Sequence, residues 1–168
     1  VSSTGASPWT VLAQGISLNI GFSIGSVTLI LSIAVLFLWI FLNQKPGIGT
    51  VLNALIIAMM IDLCITFVPT PESFISQISL AIIAVITVGL GGGIYLVANL
   101  GPGPRDGLMV GLQQKTNLPL ALVRVTIEIT VVSIGWYLGG VVGIGTLLFA
   151  FGIGPTVALG LFITEKIF

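Results

Sequence analysis

"GASPWTVLAQG" at residues 5–15 and "GPGPRDGLMVG" at residues 101–111 lie 96 positions apart. Gly5, Pro8, Leu12 and Gly15 fall on Gly101, Pro104, Leu108 and Gly111. At the same offset "GIGT" at 47–50 falls on "GIGT" at 143–146. Residues 5–57 match 101–153 at fifteen positions without a gap. Self-similarity at a fixed spacing marks a duplicated unit. The chain divides into repeat 1, residues 1–68, and repeat 2, residues 74–168, within a single membrane domain.

The environment follows from composition. Of 168 residues, 56% are hydrophobic and only 6% charged, with mean hydropathy +1.22. A soluble domain carries about 25% charged residues. This chain cannot cover a water-facing surface, so it reads as an integral membrane protein whose main partner is the lipid bilayer. Its formal net charge is zero, which gives nucleic acid nothing to hold. There is no histidine, and the single cysteine, Cys64, lies in an apolar run. An internal disulfide is impossible, no metal site or cofactor is expected, and Cys64 reads as an inert core thiol.

Spanning the hydrocarbon takes about 20 apolar residues per helix. Five stretches qualify: Ser23–Leu42, Ile48–Val68, Phe74–Ala98, Leu118–Leu138 and Ile144–Phe162. "NQKPG", "PTPES", "NLGPGPRDG" and "GGVVG" separate them with turn chemistry. Two shorter stretches, Pro8–Asn19 and Pro104–Thr116, are too short to cross. Each repeat reads as helix, Gly-Pro loop with a short helix, helix, helix. Repeat 2 has every part. In repeat 1, Val1 falls on Val97, so its first helix is expected to precede this chain.

Three crossings per repeat is an odd number. If the short helix dips in and returns, repeat 2 is inverted relative to repeat 1, a plan common among transporters. If it crosses, the repeats are parallel. Cytoplasmic loops collect Lys and Arg. The dipping arrangement puts Lys45, Arg105, Lys115 and Lys166 on one face, and the crossing arrangement splits them, so inversion is expected. Trp39 and Phe41, and Trp136 and Tyr137, then end matching helices at opposite interfaces.

The Gly-Pro loops start the short helices. Ser7 is a good N-cap with Pro8 in the first helical position, and Gly103 and Pro104 take the same two places. A helix N-terminus offers unpaired N–H groups and partial positive charge. Two such ends at membrane depth would suit an anionic or zwitterionic solute; tight interfacial turns are the alternative. Arg105 and Asp106 follow in the first turn, either as part of that site or as a surface ion pair.

Charges inside the spans complete the candidate set. Arg124 and Glu128 are four apart and can pair on one face. Counting from Leu118, Glu128 sits about 15 Å into its helix, where a charge needs a partner or water. Their repeat mates, Thr28 and Ser32, are also polar; Thr126 and Thr130 lie off that stripe. Asp62, whose mate is Ala158, is a coupling-ion or proton candidate, or a snorkelling carboxylate. Gly89 and Gly93 suit close helix contact. The substrate-binding candidates are therefore Ser7, Pro8, Thr10, Thr28, Ser32, Gly103, Pro104, Arg105, Asp106, Arg124 and Glu128, with Asp62 and Glu128 for coupling.

"SPWTVLAQG", "KPGIGTVLNALIIAMMIDL", "PTPES", "GPGPRDGLM" and "VGIGTLLFAFGIGP" together resemble the bacterial YczE-type membrane proteins, grouped with YyaS and YitT. The resemblance runs over nearly the whole chain. It implies a multi-pass inner-membrane protein and supplies no substrate or catalytic residues. The expected fold is all-α. The expected function is a small transporter or channel with a central site between inverted repeats; a non-transporting scaffold that binds another membrane or envelope component is the alternative. No Ser/His/Asp, metal or phosphate-loop constellation is present, so an enzyme is not expected. Six short helices enclose little space, which leaves a homodimer open as the working form.

Overall fold

The computed structural model describes residues 4–68 and 71–167. The described residues form seven helices: α1 (Pro8–Ile20), α2 (Ile24–Phe41), α3 (Ile48–Phe67), α4 (Phe74–Val97), α5 (Pro104–Thr116), α6 (Leu120–Tyr137) and α7 (Ile144–Ile167). They contain no strand. Five helices (α2, α3, α4, α6 and α7) are long and apolar enough to span a bilayer. Val1, and residues 69–70 of the "PTPES" turn, lie outside the described residues.

The 96-residue offset survives in the backbone. α5 and α6 begin and end 96 positions after α1 and α2, and α7 begins 96 after α3. The left-handed positions repeat as well. Gly5 (φ +91°) matches Gly101 (φ +107°), Gly21 (φ +76°) matches Asn117 (φ +56°), and Asn43 (φ +53°) matches Gly139 (φ +95°). Such angles suit glycine and, less well, asparagine. These are the residues found, although only the first pair is identical.

Each repeat holds the other by the same bonds. The Gly49 N–H donates to the Leu100 carbonyl at 2.9 Å, and the Gly145 N–H donates to the Thr4 carbonyl at 2.7 Å. Leu100 and Thr4 are repeat mates, as are Gly49 and Gly145. Thr50 Oγ1 accepts from the Gly47 N–H at 3.1 Å, as Thr146 Oγ1 does from Gly143 at 3.3 Å. At its far end α1 is tied to the same α6–α7 junction, where Asn19 Nδ2 donates to the Leu138 carbonyl at 2.9 Å. α5 is tied likewise to the α2–α3 junction. Lys115 Nζ donates to the Phe41 carbonyl at 3.3 Å, and Gln44 Nε2 donates to Gln114 Oε1 at 2.8 Å.

The core joins both repeats. Trp9, Leu12, Val35, Trp39, Leu108 and Val131 form one buried cluster. Leu12 with Leu108, and Val35 with Val131, are repeat mates that meet there. Outside it, large apolar side chains such as Phe37, Ile40, Met59, Ile75 and Phe151 are exposed, as lipid-facing residues are. α4 lies along α7 with Gly89 against Thr156 and Gly93 against Gly160 and Leu161. These two glycines are the close-contact residues.

Three expectations shift. α6 starts at Leu120, because Pro119 stands at its N-cap after Asn117 has closed α5. α7 runs past Phe162 and through Pro155 to Ile167. Cys64 is exposed rather than core, because it lies on a face of α3 that no described helix covers.

Candidate functional site

A cavity of about 630 Å³ is lined by residues of α3, α4, α6 and α7, by the N-terminal parts of α1 and α5, and by Ser32 of α2. Its lining follows the duplication. Ser7 and Gly103, Trp9 and Arg105, Ser32 and Glu128, Asn53 and Phe149, and Ile57 and Ile153 are five pairs of repeat mates, and all ten residues line it. The cavity therefore sits where the repeats face each other.

Local structure explains how the loop residues reach it. Ser7 caps α1, its hydroxyl accepting from the Thr10 N–H at 3.4 Å and pairing with Thr10 Oγ1 at 2.8 Å. Gly103 caps α5 in the same place, with Pro104 as the first helical residue. Trp9 and Arg105 come next in each helix. They meet, the guanidinium carbon 5.1 Å from the Trp9 ring centroid. A cation over an indole face is attracted by the ring quadrupole.

Adjacent Arg105 and Asp106 do not pair with each other. Consecutive helical residues point about 100° apart. Asp106 turns to α4, where its Oδ2 accepts from the Tyr95 hydroxyl at 2.6 Å. Tyr95 Oη in turn accepts from the Gly103 N–H at 3.1 Å. Arg105 turns to Trp9. Burial pulls its pKa down to about 10, with Asp106 pulling the other way. It stays a cation at neutral pH, and among the described residues it has no hydrogen-bond or ion-pair partner. The surface ion pair is thus replaced by a cation inside the cavity.

α6 contributes the other charges. Arg124 Nε donates to Glu128 Oε1 at 3.0 Å, the one ion pair among the described residues. The Glu128 side chain is 12% exposed and that of Arg124 34%. On α2 the mate of Glu128, Ser32, lines the cavity while its hydroxyl donates to the Thr28 carbonyl at 2.8 Å. One polar atom is left over: Trp9 Nε1 is buried and has no hydrogen-bond partner. Such an atom is costly to leave unpaired.

Of the sequence candidates, Ser7, Ser32, Gly103, Pro104, Arg105, Asp106, Arg124 and Glu128 line the cavity. Pro8, Thr10 and Thr28 are not among its lining residues. Thr28 is buried, and its hydroxyl turns back to the Ile24 carbonyl at 2.8 Å. Asp62 is elsewhere as well. Its carboxylate accepts from Ser23 Oγ at 2.5 Å and from the Gly25 N–H at 2.7 Å, closing the N-terminus of α2. Trp9, Asn53 and Tyr95 also line the cavity. Sequence reasoning missed them, though the offset carried a signal for Trp9, which falls on Arg105.

The DUF6198 model, a family of unknown function, matches residues 1–161. The chain belongs to this family. A Haemophilus influenzae relative, printed as an uncharacterized protein, is 40% identical over 167 residues, or 99% of this chain and 77% of that protein. The uncharacterized membrane protein YczE of Bacillus subtilis is 32% identical over 147 residues, or 87% of this chain and 68% of its own length. YyaS of the same organism is 28% identical over 151 residues, covering 88% of this chain and 75% of that protein. No solved structure matches. The resemblance carried by the motifs is therefore a family relationship. DUF6198 membership agrees with a membrane protein and assigns no chemistry, so the reading of the site rests on its geometry.

Proposed function

We propose that this protein is a small transporter or channel of the bacterial inner membrane for an anionic or zwitterionic solute, working through the cavity between two inverted repeats. The observation that carries the proposal is the lining by five pairs of repeat mates. A solute on the axis between two related halves meets equivalent elements toward either side, which is what alternating access requires.

Inversion and re-entry are supported by the tethers of the short helices. The approach to α1 and its last turn both bond to the α6–α7 junction, through Thr4 and Asn19. The approach to α5 and its last turns bond to the α2–α3 junction, through Leu100 and Lys115. A helix that starts and finishes against the same junction turns back rather than crosses. α1 and α5 then dip from opposite faces, and their positive N-terminal ends converge on the cavity. Lys45, Lys115 and Lys166 fall on one side, taken as cytoplasmic, with Arg105 deeper.

The scaffold alternative has one observation in its favour, the closed Arg124–Glu128 pair. Flux into liposomes across a panel of small solutes separates the readings. The transporter reading expects movement of at least one anionic or zwitterionic solute, reduced by about tenfold or more in Glu128→Gln and Arg124→Ala. Movement indifferent to both changes removes the central site, and no movement of any solute by intact protein favours the scaffold. Orientation is checked by labelling single cysteines at Lys45 and Lys115 in a Cys64→Ser background. Same-side labelling is expected, and opposite-side labelling rejects inversion.

A further inference from the structure

The cavity's polar groups are unevenly satisfied. Both carboxylates are engaged, Asp106 by the Tyr95 hydroxyl and Glu128 by Arg124. Two strong donors are unengaged: the Trp9 indole N–H, buried with no partner, and the Arg105 guanidinium, held over the Trp9 ring. They lie together beside the N-terminal ends of α1 and α5. A cation with no hydrogen-bond or ion-pair partner beside an unpaired N–H calls for negative charge from outside.

The rest of the wall is apolar. Ile57, Val88, Ile153 and Val157 line it, and α4 adds Gly91 and Gly92. A Cβ built on Gly91 meets nothing within 4 Å, and one on Gly92 meets only Val157 at 3.4 Å. Unlike Gly89 and Gly93, these glycines are not required by contact with α7. They leave room. The volume is within the range of about 300–1,000 Å³ that holds organic ligands, and far exceeds what a bare inorganic anion fills.

We infer that the cavity takes an amphipathic monoanion, its carboxylate or similar headgroup bound by Arg105 and Trp9 Nε1 and its hydrocarbon body lying along Ile57, Val88, Ile153 and Val157 beside Gly91. The inference rests on the central-site reading above and names the chemistry of its ligand. The headgroup replaces the missing partners of two donors, and the body covers apolar wall. The ligand can come from water, as a short acid, or from the bilayer, as a long-chain one.

The test is retention of labelled octanoate by the purified protein in nanodiscs of zwitterionic lipid, scored against empty nanodiscs, with octanol and octylamine as competitors of equal length. Octanoate should be retained and neither competitor should displace it at equal concentration. Arg105→Gln should weaken retention by about tenfold or more, as loss of a charge-assisted pair does. Gly91→Leu, placed where there is open space, should weaken octanoate while leaving butyrate competition intact. Displacement of octanoate by oleate dissolved in the lipid assigns a bilayer source, and failure of oleate to displace it assigns an aqueous one. Equal competition by octanol or octylamine, indifference to both substitutions, or no retention would overturn the inference. If retention fails while another solute still crosses liposomes in a Glu128-dependent way, the ligand class falls and the transport reading stands. If octanoate is retained and nothing crosses, the reverse holds.

Discussion

Where α5 meets α2, Gly107 lies against the Trp39 ring, and Trp39 Nε1 donates to the Pro104 carbonyl at 3.0 Å. Where α1 meets α6, Val11 and Leu12 lie against Gly135. Gly107 is the repeat mate of Val11, and Trp39 of Gly135. At both crossings a glycine faces the other helix, but it stands on α5 in one and on α6 in the other, and it meets a side chain in the first and backbone in the second. Close packing fixes the volume available at such a contact, not which side supplies it. Two sequences can therefore drift apart at these positions while the helices keep their places.

The largest effect should come from crowding the first of these crossings. Gly107→Val directs a side chain into a ring held by its own hydrogen bond, and overpacking of this kind costs about 1–3 kcal/mol, occasionally more. The variant should lose its monodisperse peak in detergent, and adding Trp39→Gly, which copies the other contact, should recover part of it. A single variant that melts like the parent would mean that the ring can move aside.

Next in size is an asymmetry. Asp62 closes the N-terminus of α2, whereas its mate in repeat 2 is Ala158 and α6 begins on Pro119. Asp62→Ala leaves the Gly25 N–H without its acceptor, at a cost of about 1–3 kcal/mol, while the Ser23 hydroxyl keeps Ser26 Oγ at 2.8 Å. The thermal midpoint should fall accordingly. If Ala158→Asp were to stabilise repeat 2 by as much, the two ends would be more alike than this comparison holds.

Thr50→Val and Thr146→Val probe a matched pair of loop bonds. Each removes the acceptor of a loop N–H at matching places, at about 0.5–1.5 kcal/mol. Thr50→Val should lower the midpoint further, because Thr50 Oγ1 also donates to the Pro102 carbonyl at 2.7 Å. Equal midpoints would show that this second bond adds nothing to the tether. The smallest effect is a gain. Gly91→Ala replaces a mid-helix glycine that touches nothing, and should raise stability by about 0.5–1 kcal/mol.

Particular residues show how far the sequence could be read. The spans were legible because hydrocarbon must be matched by continuous apolar length. The short helices were legible because Ser7-Pro8 and Gly103-Pro104 are start signals. Arg105 and Asp106 were harder. Adjacency suggested a pair, yet helical geometry sends them to different neighbours, one on α1 and the other on α4. Thr28 illustrates a second difficulty. It shares the stripe of Arg124, but its short hydroxyl is satisfied by its own helix and contributes nothing to the cavity. Tyr95 gave no local sign, since its partner Asp106 lies beyond the Gly-Pro loop on the next helix.

Composition and the 96-residue offset by themselves determined a membrane-embedded, all-helical chain made of one unit used twice, because both are properties of the order of residues. Only the tertiary structure decided that Trp9 lies against Arg105, that the mates surround one cavity, and that Arg105 stands there without an ion-pair partner. Those facts depend on which side chains face each other across helices far apart in the chain. Hydrophobic matching to lipid constrains each helix alone and is silent about its rotation toward its neighbours.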